Sequence, residues 1–311
     1  MKKLISIVTP CYNEEDNIEE LHTQIVQIMS GFPHYDFEHI YIDNASTDRT
    51  IPILRQLAAK DKRVKVILNT RNFGHIRSPF HGLLQARGDA VVYMVSDLQD
   101  PPALIKDFLD NWEAGNKIVI GIKKRSEESK LFFLLRSMYY RILSKVSEVP
   151  LFVDFTGFGL YDQKIIEILR KIDDPYPYLR GLIADISCDV VKINYLQPAR
   201  KRGITKNNFF SLFDMAMLGF TNNTKVPLRV SIFLGSIIAT ISFFVGLFYL
   251  FFKLFNWQDF SLGLAPLVVG MFFLGGVQLL FLGILGEYIG AIYTQVLHRP
   301  KVIEKERINF D

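Results

Sequence analysis

Residues 97–102, Asp-Leu-Gln-Asp-Pro-Pro, are the stretch of this 311-residue chain best suited to chemistry. They follow an apolar run at residues 90–95 that is typical of a buried parallel strand. Asp97 and Gln99 present a carboxylate and an amide two residues apart, and such oxygen ligands can bind a divalent cation that a diphosphate also binds. The alternative is that the stretch only ends the strand and caps a helix predicted over residues 103–114.

Strand and helix patterns alternate along the part of the chain that must position this stretch. Apolar runs predict strands at residues 4–8, 39–42, 64–68 and 90–95. Apolar residues at helical spacing and turn signals predict helices at residues 18–29, 51–60, 80–87 and 103–114. Further elements are predicted at residues 117–122, 154–172 and 190–195. The alternation favours an α/β fold with a doubly wound, mostly parallel sheet.

Polar side chains follow four of these strands, and the carboxyl ends of parallel strands are where ligands bind. The residues concerned are Asn13, Glu14, Asp43, Arg71, Asp97 and Gln99. One polar strand end is more often a turn than a site, but four at one edge favour binding of a nucleotide diphosphate. The patterns G-x-G-x-x-G and G-x-x-x-x-G-K-[ST] do not occur in the sequence. Metal and cationic side chains would therefore hold the phosphates.

Four motifs together resemble those of the inverting family 2 glycosyltransferases. They are Thr-Pro-Cys-Tyr-Asn-Glu-Glu at 9–15, Asp-Asn-Ala-Ser-Thr-Asp-Arg-Thr at 43–50, Arg-Asn-Phe-Gly at 71–74, and residues 97–102. The chain is most similar to the membrane-anchored polyprenyl-phosphate branch, which includes bactoprenol glucosyltransferases and dolichol-phosphate mannose synthases. The resemblance covers nearly the whole chain.

The resemblance implies transfer of a sugar, with glucose the first choice, from a nucleotide-diphosphate sugar to polyprenyl (undecaprenyl) phosphate with inversion, for modification of cell-envelope glycans. Asp43 would contact the nucleobase or ribose, and Asp97 and Gln99 would ligate Mg²⁺ or Mn²⁺ on the diphosphate. The residues expected to bind the donor or the phosphate groups are Pro10, Tyr12, Asn13, Glu14, Asp43, Arg71, Lys123, Arg200, Arg202 and Lys206. A processive polysaccharide synthase and a non-catalytic membrane scaffold with the same fold are the alternatives.

Two departures from the family pattern concern the chemistry. Val95 stands where the family often has the first carboxylate of Asp-x-Asp, so the metal would have one charged ligand fewer. Gly157 stands where many relatives carry an Asp that is often treated as the catalytic base. Asp154 is the nearest carboxylate that could take this catalytic role, and we predict that it is structural or orienting instead.

Two long apolar runs distinguish the last third of the chain from the rest. Residues 230–252 and 260–286 contain no Asp, Glu, Lys or Arg, and each run is long enough to cross a bilayer as a helix. The predicted organisation is a cytoplasmic glycosyltransferase domain (1–207), an amphipathic juxtamembrane helix (208–225), a transmembrane hairpin (226–290, with helices at about 228–252 and 262–286) and a cytoplasmic tail (291–311). A helix at residues 130–146 is either interfacial or an ordinary core helix, and the resemblance favours a helix near the lipid acceptor.

The remaining features concern location and partners. Cations flank both apolar runs, so the positive-inside rule predicts a multi-pass protein of the inner (plasma) membrane with its enzyme domain in the cytoplasm. Cys11 and Cys188 lie far apart and do not indicate a secreted disulfide framework. A net charge of +4 without a long basic tract interleaved with aromatic residues argues against nucleic acid as a partner. Gly275, Gly276 and Gly283 suggest close helix packing, between protomers of a homo-oligomer.

Residues 200–206, Arg-Lys-Arg-Gly-Ile-Thr-Lys, form either a solvated turn or a phosphate clamp, and the resemblance favours the clamp. We expect neutralisation of Arg200 and Arg202 together to raise the Michaelis constant for the acceptor or abolish turnover, because neutral side chains do not replace bidentate phosphate contacts. Steady-state kinetics in detergent measure this, with Lys60→Gln, Lys62→Gln as a control of equal charge change. Unchanged kinetics would mean a solvated turn.

Overall fold

The computed structural model describes residues 2–124, 152–186, 189–198, 224–255 and 264–310. These residues belong to two compact units. The first unit contains the described residues up to 198 together with residues 298–310, and the second contains residues 224–255 and 264–297. The helices predicted at 130–146 and 208–220, the cationic run at 200–206 and Cys188 lie outside the described residues.

A single eight-stranded sheet forms the centre of the first unit. Its strands are β1 (Lys3–Cys11), β2 (Tyr35–Asp43), β3 (Val64–Asn69), β4 (Ala90–Tyr93), β5 (Ile118–Lys123), β6 (Phe155–Asp162), β7 (Val191–Tyr195) and β8 (Glu304–Ile308). Their spatial order is β7-β5-β6-β4-β1-β2-β3-β8. The helices of this unit are α1 (Ile18–Ser30), α2 (Thr50–Lys60), α3 (Gly74–Gln85), α4 (Leu104–Glu113), α5 (Gln163–Lys171) and α6 (Leu179–Ile186).

Parallel pairing predominates, which confirms the predicted α/β fold. β1 pairs in parallel with both β2 and β4, and the pairs β2–β3 and β5–β7 are also parallel. The sheet is nevertheless mixed, because β6 runs antiparallel between β4 and β5, and β8 runs antiparallel to β3. The carboxyl ends of β1, β2, β3 and β4 therefore share one edge, as the strand-end motifs require.

Apolar clusters cover both faces of the sheet, which explains why the strands read as continuous apolar runs. Ile5 and Ile7 of β1 pack with residues of α1 and α4 on one face. Val8 of β1 packs on the other face in a cluster that includes residues of α3, α5 and α6. A third cluster contains Leu54 and Ala58 of α2, so the apolar stripes of the helices are buried against the sheet.

Part of the segment assigned to a C-terminal tail, residues 291–311, is strand β8 of the sheet. Its sequence, Glu-Lys-Glu-Arg-Ile, carries no apolar run that predicts a strand. Its two glutamates are paired with neighbours instead: Arg55 contacts Glu306 at 2.5 Å, and His81 contacts Glu304 at 2.5 Å. The cytoplasmic location of this segment stays a prediction.

The second unit consists of α7 (Val226–Phe255) and α8 (Leu264–Val296). Within them, Val226–Phe248 and Gly270–Val296 are long and apolar enough to cross a membrane. Their large apolar side chains are exposed, for example Phe233 at 71% and Phe272 at 74%. Two helices of this kind indicate membrane association. The first lies close to the predicted residues 228–252, whereas the second extends past the predicted end at residue 286 to Val296.

The residue that follows β8 provides a test of how strongly this strand stabilises the domain. Asn309 has φ +58°, and its Nδ2 donates to the carbonyl oxygens of Ala58 (2.7 Å) and Val64 (2.8 Å). We expect Asn309→Ala to reduce the free energy of unfolding by about 1–3 kcal/mol, seen as a lower melting temperature. Arg55→Gln, which removes the solvent-exposed ion pair to Glu306, should lower the melting temperature less than Asn309→Ala does. Equal losses in the two variants would contradict this ranking.

Candidate active site

The carboxyl ends of three neighbouring parallel strands form the candidate active site. Cys11 at the end of β1 lies beside Asp43 at the end of β2, and Val8 of β1 lies beside Tyr93 at the end of β4. The turns that follow these strands therefore leave the sheet at the same edge. This arrangement brings together the predicted turn residues after β1, β2 and β4.

The turn after β1 is bound to the turn after β2 by side-chain hydrogen bonds. Asn13 has φ +54°, its backbone N–H donates to Ser46 Oγ (2.8 Å), and its Oδ1 accepts from the N–H of Thr47 (2.7 Å). The N–H of Glu14 donates to Thr50 Oγ1 (2.9 Å). Pro10, Tyr12, Asn13 and Glu14 are all partly buried here. The first two motifs thus form one structure.

Asp43 is fully buried at the centre of that structure. Its Oδ2 accepts from the backbone N–H of Ser46 at 2.9 Å, and its Oδ1 accepts from the Ser46 hydroxyl. Burial raises the pKa of Asp43 above its ordinary value, and the hydrogen bonds from Ser46 act against that rise. The carboxylate holds the turn in which Ala45 has φ +63°. Contact with a nucleobase or ribose stays a prediction.

Asn44 is a positioning residue that the sequence analysis missed. Its Nδ2 donates to Asn72 Oδ1 (2.8 Å) and to the carbonyl of Gly74 (3.1 Å), and its Oδ1 accepts from the N–H of Phe73 (2.9 Å). Asn44, the residue after β2, therefore holds the turn at residues 71–74 in place. Arg71, exposed in that turn, lies 4.1 Å above the ring of Phe73. The only signal in the sequence was the position of Asn44 next to Asp43.

The turn after β4, which we call the Asp97 turn, comprises residues 95–100. Asp97 and Gln99 are partly exposed, and Asp97 Oδ1 accepts from the backbone N–H of Gln99 at 3.1 Å. Leu98 between them has φ +60°, a conformation that is uncommon outside glycine. The two predicted metal ligands are thus ordered by the turn itself.

Asp100, at the end of the Asp97 turn, is buried, with a relative exposure of 2%. It accepts from the hydroxyl of Tyr195 (2.9 Å) and from the N–H of Val95 (3.3 Å). Burial raises the pKa of Asp100 to about 7, the hydrogen bond from Tyr195 lowers it, and the charge of Asp97 adds to the rise. Neither Asp100 nor Tyr195 was predicted from the sequence as a site residue.

The donor set fits a weakly held divalent cation. Within the described part of the chain, no group of three or more His, Cys, Asp or Glu side chains is placed to hold a metal ion. The ligands predicted from the sequence are the side-chain oxygens of Asp97 and Gln99, which both lie in the Asp97 turn. Mg²⁺ is commonly bound by one or two carboxylates together with substrate phosphates and water. Such a cation would depend on the diphosphate for much of its coordination.

The other half of the edge carries Lys123, Asp154 and Gly157. The N–H of Lys123 at the end of β5 donates to the carbonyl of Asp154 (3.2 Å), and Asp154 has φ +59°. Gly157 has φ +104°, and a Cβ there would lie 3.2 Å from Cε1 of Tyr93. The positive φ and the Tyr93 ring therefore both favour glycine at this position in this chain. Arg200, Arg202 and Lys206 lie outside the described residues.

A mostly parallel sheet with polar turns at the carboxyl ends of its strands is the architecture that the four motifs predicted for a glycosyltransferase. The chain belongs to glycosyl transferase family 2, whose model matches residues 6–169. This confirms the family predicted from the four motifs.

Relatives resemble the chain over nearly its full length. The uncharacterized glycosyltransferase YkcC of Bacillus subtilis is 32% identical, covering 96% of this chain and 92% of the relative. The bactoprenol glucosyl transferase of Shigella phage SfV is 33% identical, covering 97% of this chain and 98% of the relative. Among solved structures, the glucosyl-3-phosphoglycerate synthase of Mycobacterium tuberculosis with Mn²⁺, uridine diphosphate and phosphoglyceric acid is 22% identical, covers 69% of this chain and 75% of its own, and gives a TM-score of 0.48.

Replacing Asp97 by Asn tests the assignment of the charged ligand. We expect the rate of sugar transfer to fall by about a hundredfold to a thousandfold, the range seen when electrostatic stabilisation of a reacting group is lost. Asp107→Asn, an exposed position on α4, makes the same chemical change away from the edge and should leave the rate unaltered. Initial rates at saturating Mg²⁺ or Mn²⁺ measure both. An Asp97→Asn protein with most of the parental rate would remove Asp97 from the site.

Proposed function

We propose that this glycosyltransferase moves a sugar, with glucose the first choice, from a nucleotide-diphosphate sugar to a polyprenyl phosphate such as undecaprenyl phosphate. The product would be a polyprenyl-phosphate sugar with inverted configuration, used to modify cell-envelope glycans. The reaction would take place at the cytoplasmic face of the inner membrane.

The observation that carries the proposal is the extent of the likeness to the bactoprenol glucosyl transferase of phage SfV. The match spans 302 residues of a 311-residue chain, so it includes both apolar helices as well as the sheet. A relative that shared only the sheet would support sugar transfer but would not indicate the acceptor. A lipid acceptor explains why the helices accompany the sheet, because its phosphate lies at the membrane surface.

The proposed reaction is an in-line displacement at C1 of the sugar. An oxygen of the acceptor phosphate forms the new bond to C1 while the bond from C1 to the diphosphate oxygen breaks, and the nucleoside diphosphate leaves with that electron pair. Asp97 and Gln99 would orient the diphosphate, and Asp43 would contact the nucleoside. When bound, Mg²⁺ or Mn²⁺ would supply charge neutralisation for the departing diphosphate. Inversion is the outcome of a single displacement.

Cationic side chains would bind the acceptor. Arg200, Arg202 and Lys206 precede the first apolar helix in sequence, where anionic headgroups are expected. Guanidinium groups bind phosphate through paired hydrogen bonds, which would align the attacking oxygen. The cations that flank the two helices support a cytoplasmic enzyme domain.

A purified-protein assay in detergent tests the proposal and its rivals. The full chain is incubated with a panel of UDP-sugars and GDP-mannose, with and without a short-chain polyprenyl phosphate, and the release of nucleoside diphosphate is measured. Release that requires the polyprenyl phosphate, with one labelled sugar in the lipid product, is the expected result. Long glycan product would indicate a processive synthase, and absence of release with every donor would indicate a scaffold.

The proposed acceptor also predicts the behaviour of Asp154. A phosphomonoester has a second pKa of about 6, so the acceptor is already an anion at neutral pH and needs no general base. We expect Asp154→Asn, which retains a residue that tolerates positive φ, to stay within about tenfold of the parental rate. The rate of both proteins should fall below about pH 6 as the acceptor is protonated. A folded Asp154→Asn protein that loses several orders of magnitude in rate would identify Asp154 as the base.

A further inference from the structure

Tyr195 is the last residue of β7, and its side chain contacts the Asp97 turn although β7 is not a neighbour of the strand that leads into that turn. β5 and β6 separate β7 from β4, which leads into that turn. The Tyr195 hydroxyl nevertheless lies 2.9 Å from Oδ1 of Asp100, a residue 95 positions earlier in the chain. The contact connects β7, the outermost strand on this side of the sheet, to the turn that contains the predicted metal ligands.

Packing fixes the ring of Tyr195 in this position. The ring is buried, with 6% relative exposure, and meets the ring of Phe158 edge-on at 5.6 Å between centroids. Gly121 of β5 leaves the space that both rings occupy, because a Cβ there would lie 2.8 Å from Phe158 Cδ1 and 3.1 Å from Tyr195 Cε1. The N–H of Lys124 also donates to the carbonyl of Tyr195 at 2.9 Å. The hydroxyl is therefore presented by a rigid support.

The carboxylate of Asp100 closes the Asp97 turn on itself. While Oδ1 accepts from Tyr195, Oδ2 accepts from the N–H of Val95 at 3.3 Å, so one side chain joins the first and last residues of the turn. The uncommon φ of Leu98 and the hydrogen bond from Gln99 to Asp97 lie inside this closed turn. A backbone in a sparsely populated conformation persists only where its surroundings hold it.

We propose that Tyr195 and Asp100 are positioning residues that hold Asp97 and Gln99 in the arrangement that binds a divalent cation on the donor's diphosphate. This inference rests on the proposed function. Supporting hydrogen bonds around metal ligands typically change metal affinity about tenfold to a hundredfold. Val95 stands where the family often has a second carboxylate, so Asp97 is the one charged ligand that we predict. The hydrogen bonds that orient Asp97 should therefore have a larger effect on metal affinity in this chain.

The test compares two Tyr→Phe variants of the full chain in detergent. Tyr195→Phe removes the hydroxyl and keeps the ring. Tyr35→Phe is the matched control, because Tyr35 is also buried and its hydroxyl also donates to a carboxylate, that of Glu113, at 2.5 Å. Tyr35 is the first residue of β2 and therefore lies at the opposite end of that strand from Asp43. Binding of Mn²⁺ in the presence of UDP or GDP is followed by the electron paramagnetic resonance signal of free Mn²⁺. Binding of the nucleotide without metal, melting temperature and sugar transfer are measured alongside.

We expect Tyr195→Phe to weaken Mn²⁺ binding in the presence of nucleotide by about tenfold or more, with nucleotide binding in the absence of metal unchanged. High Mn²⁺ should restore its kcat for sugar transfer, and Tyr35→Phe should match the parent in every binding measurement. Equal Mn²⁺ affinity in all three proteins, or an equal loss in both variants, would overturn the positioning role. A parent that binds no Mn²⁺ with either nucleotide would overturn the metal-dependent part of the proposed function, and this inference with it.

Discussion

Parallel hydrogen bonding of β1 to β2 on one side and to β4 on the other sets the geometry of the candidate active site. Parallel strands end at the same edge, so the turns that carry Asn13, Asp43 and Asp97 leave the sheet together. Apolar clusters cover both faces of these strands, and a shift of one residue in register would move buried side chains to the wrong face. The sheet is therefore a rigid support for the turns that contain the predicted site residues.

The carboxylates at this edge divide into two kinds. Asp43 and Asp100 are buried and accept hydrogen bonds from Ser46, Tyr195 and backbone N–H groups, so they hold turns in place. Asp97 is partly exposed and sits in one of those turns. A buried carboxylate is costly unless it is hydrogen-bonded, which is why each of the two has partners that the fold supplies.

The proposed acceptor accounts for a chain that combines this edge with two long apolar helices. A nucleotide sugar diffuses in water, whereas a polyprenyl phosphate remains in the bilayer, so the enzyme must be held where the two meet. The same acceptor is an anion at neutral pH. A glycine at position 157, where the backbone has φ +104° and the Tyr93 ring leaves little space, is compatible with a reaction that needs no protein base.

The sequence by itself determined the features that depend on local pattern. Apolar runs and periodicity located most strands and helices of the first unit, and two long apolar runs indicated the helices of the second. Motifs of a few residues identified the family and the polar strand ends. The tertiary structure alone decided the antiparallel insertion of β6, the return of β8 beside β3, and the roles of Asn44 and Asp100. These depend on partners far away in the chain, such as Tyr195 for Asp100. A hydrogen bond across 95 residues leaves no periodic signal, because only the completed sheet brings its two side chains together.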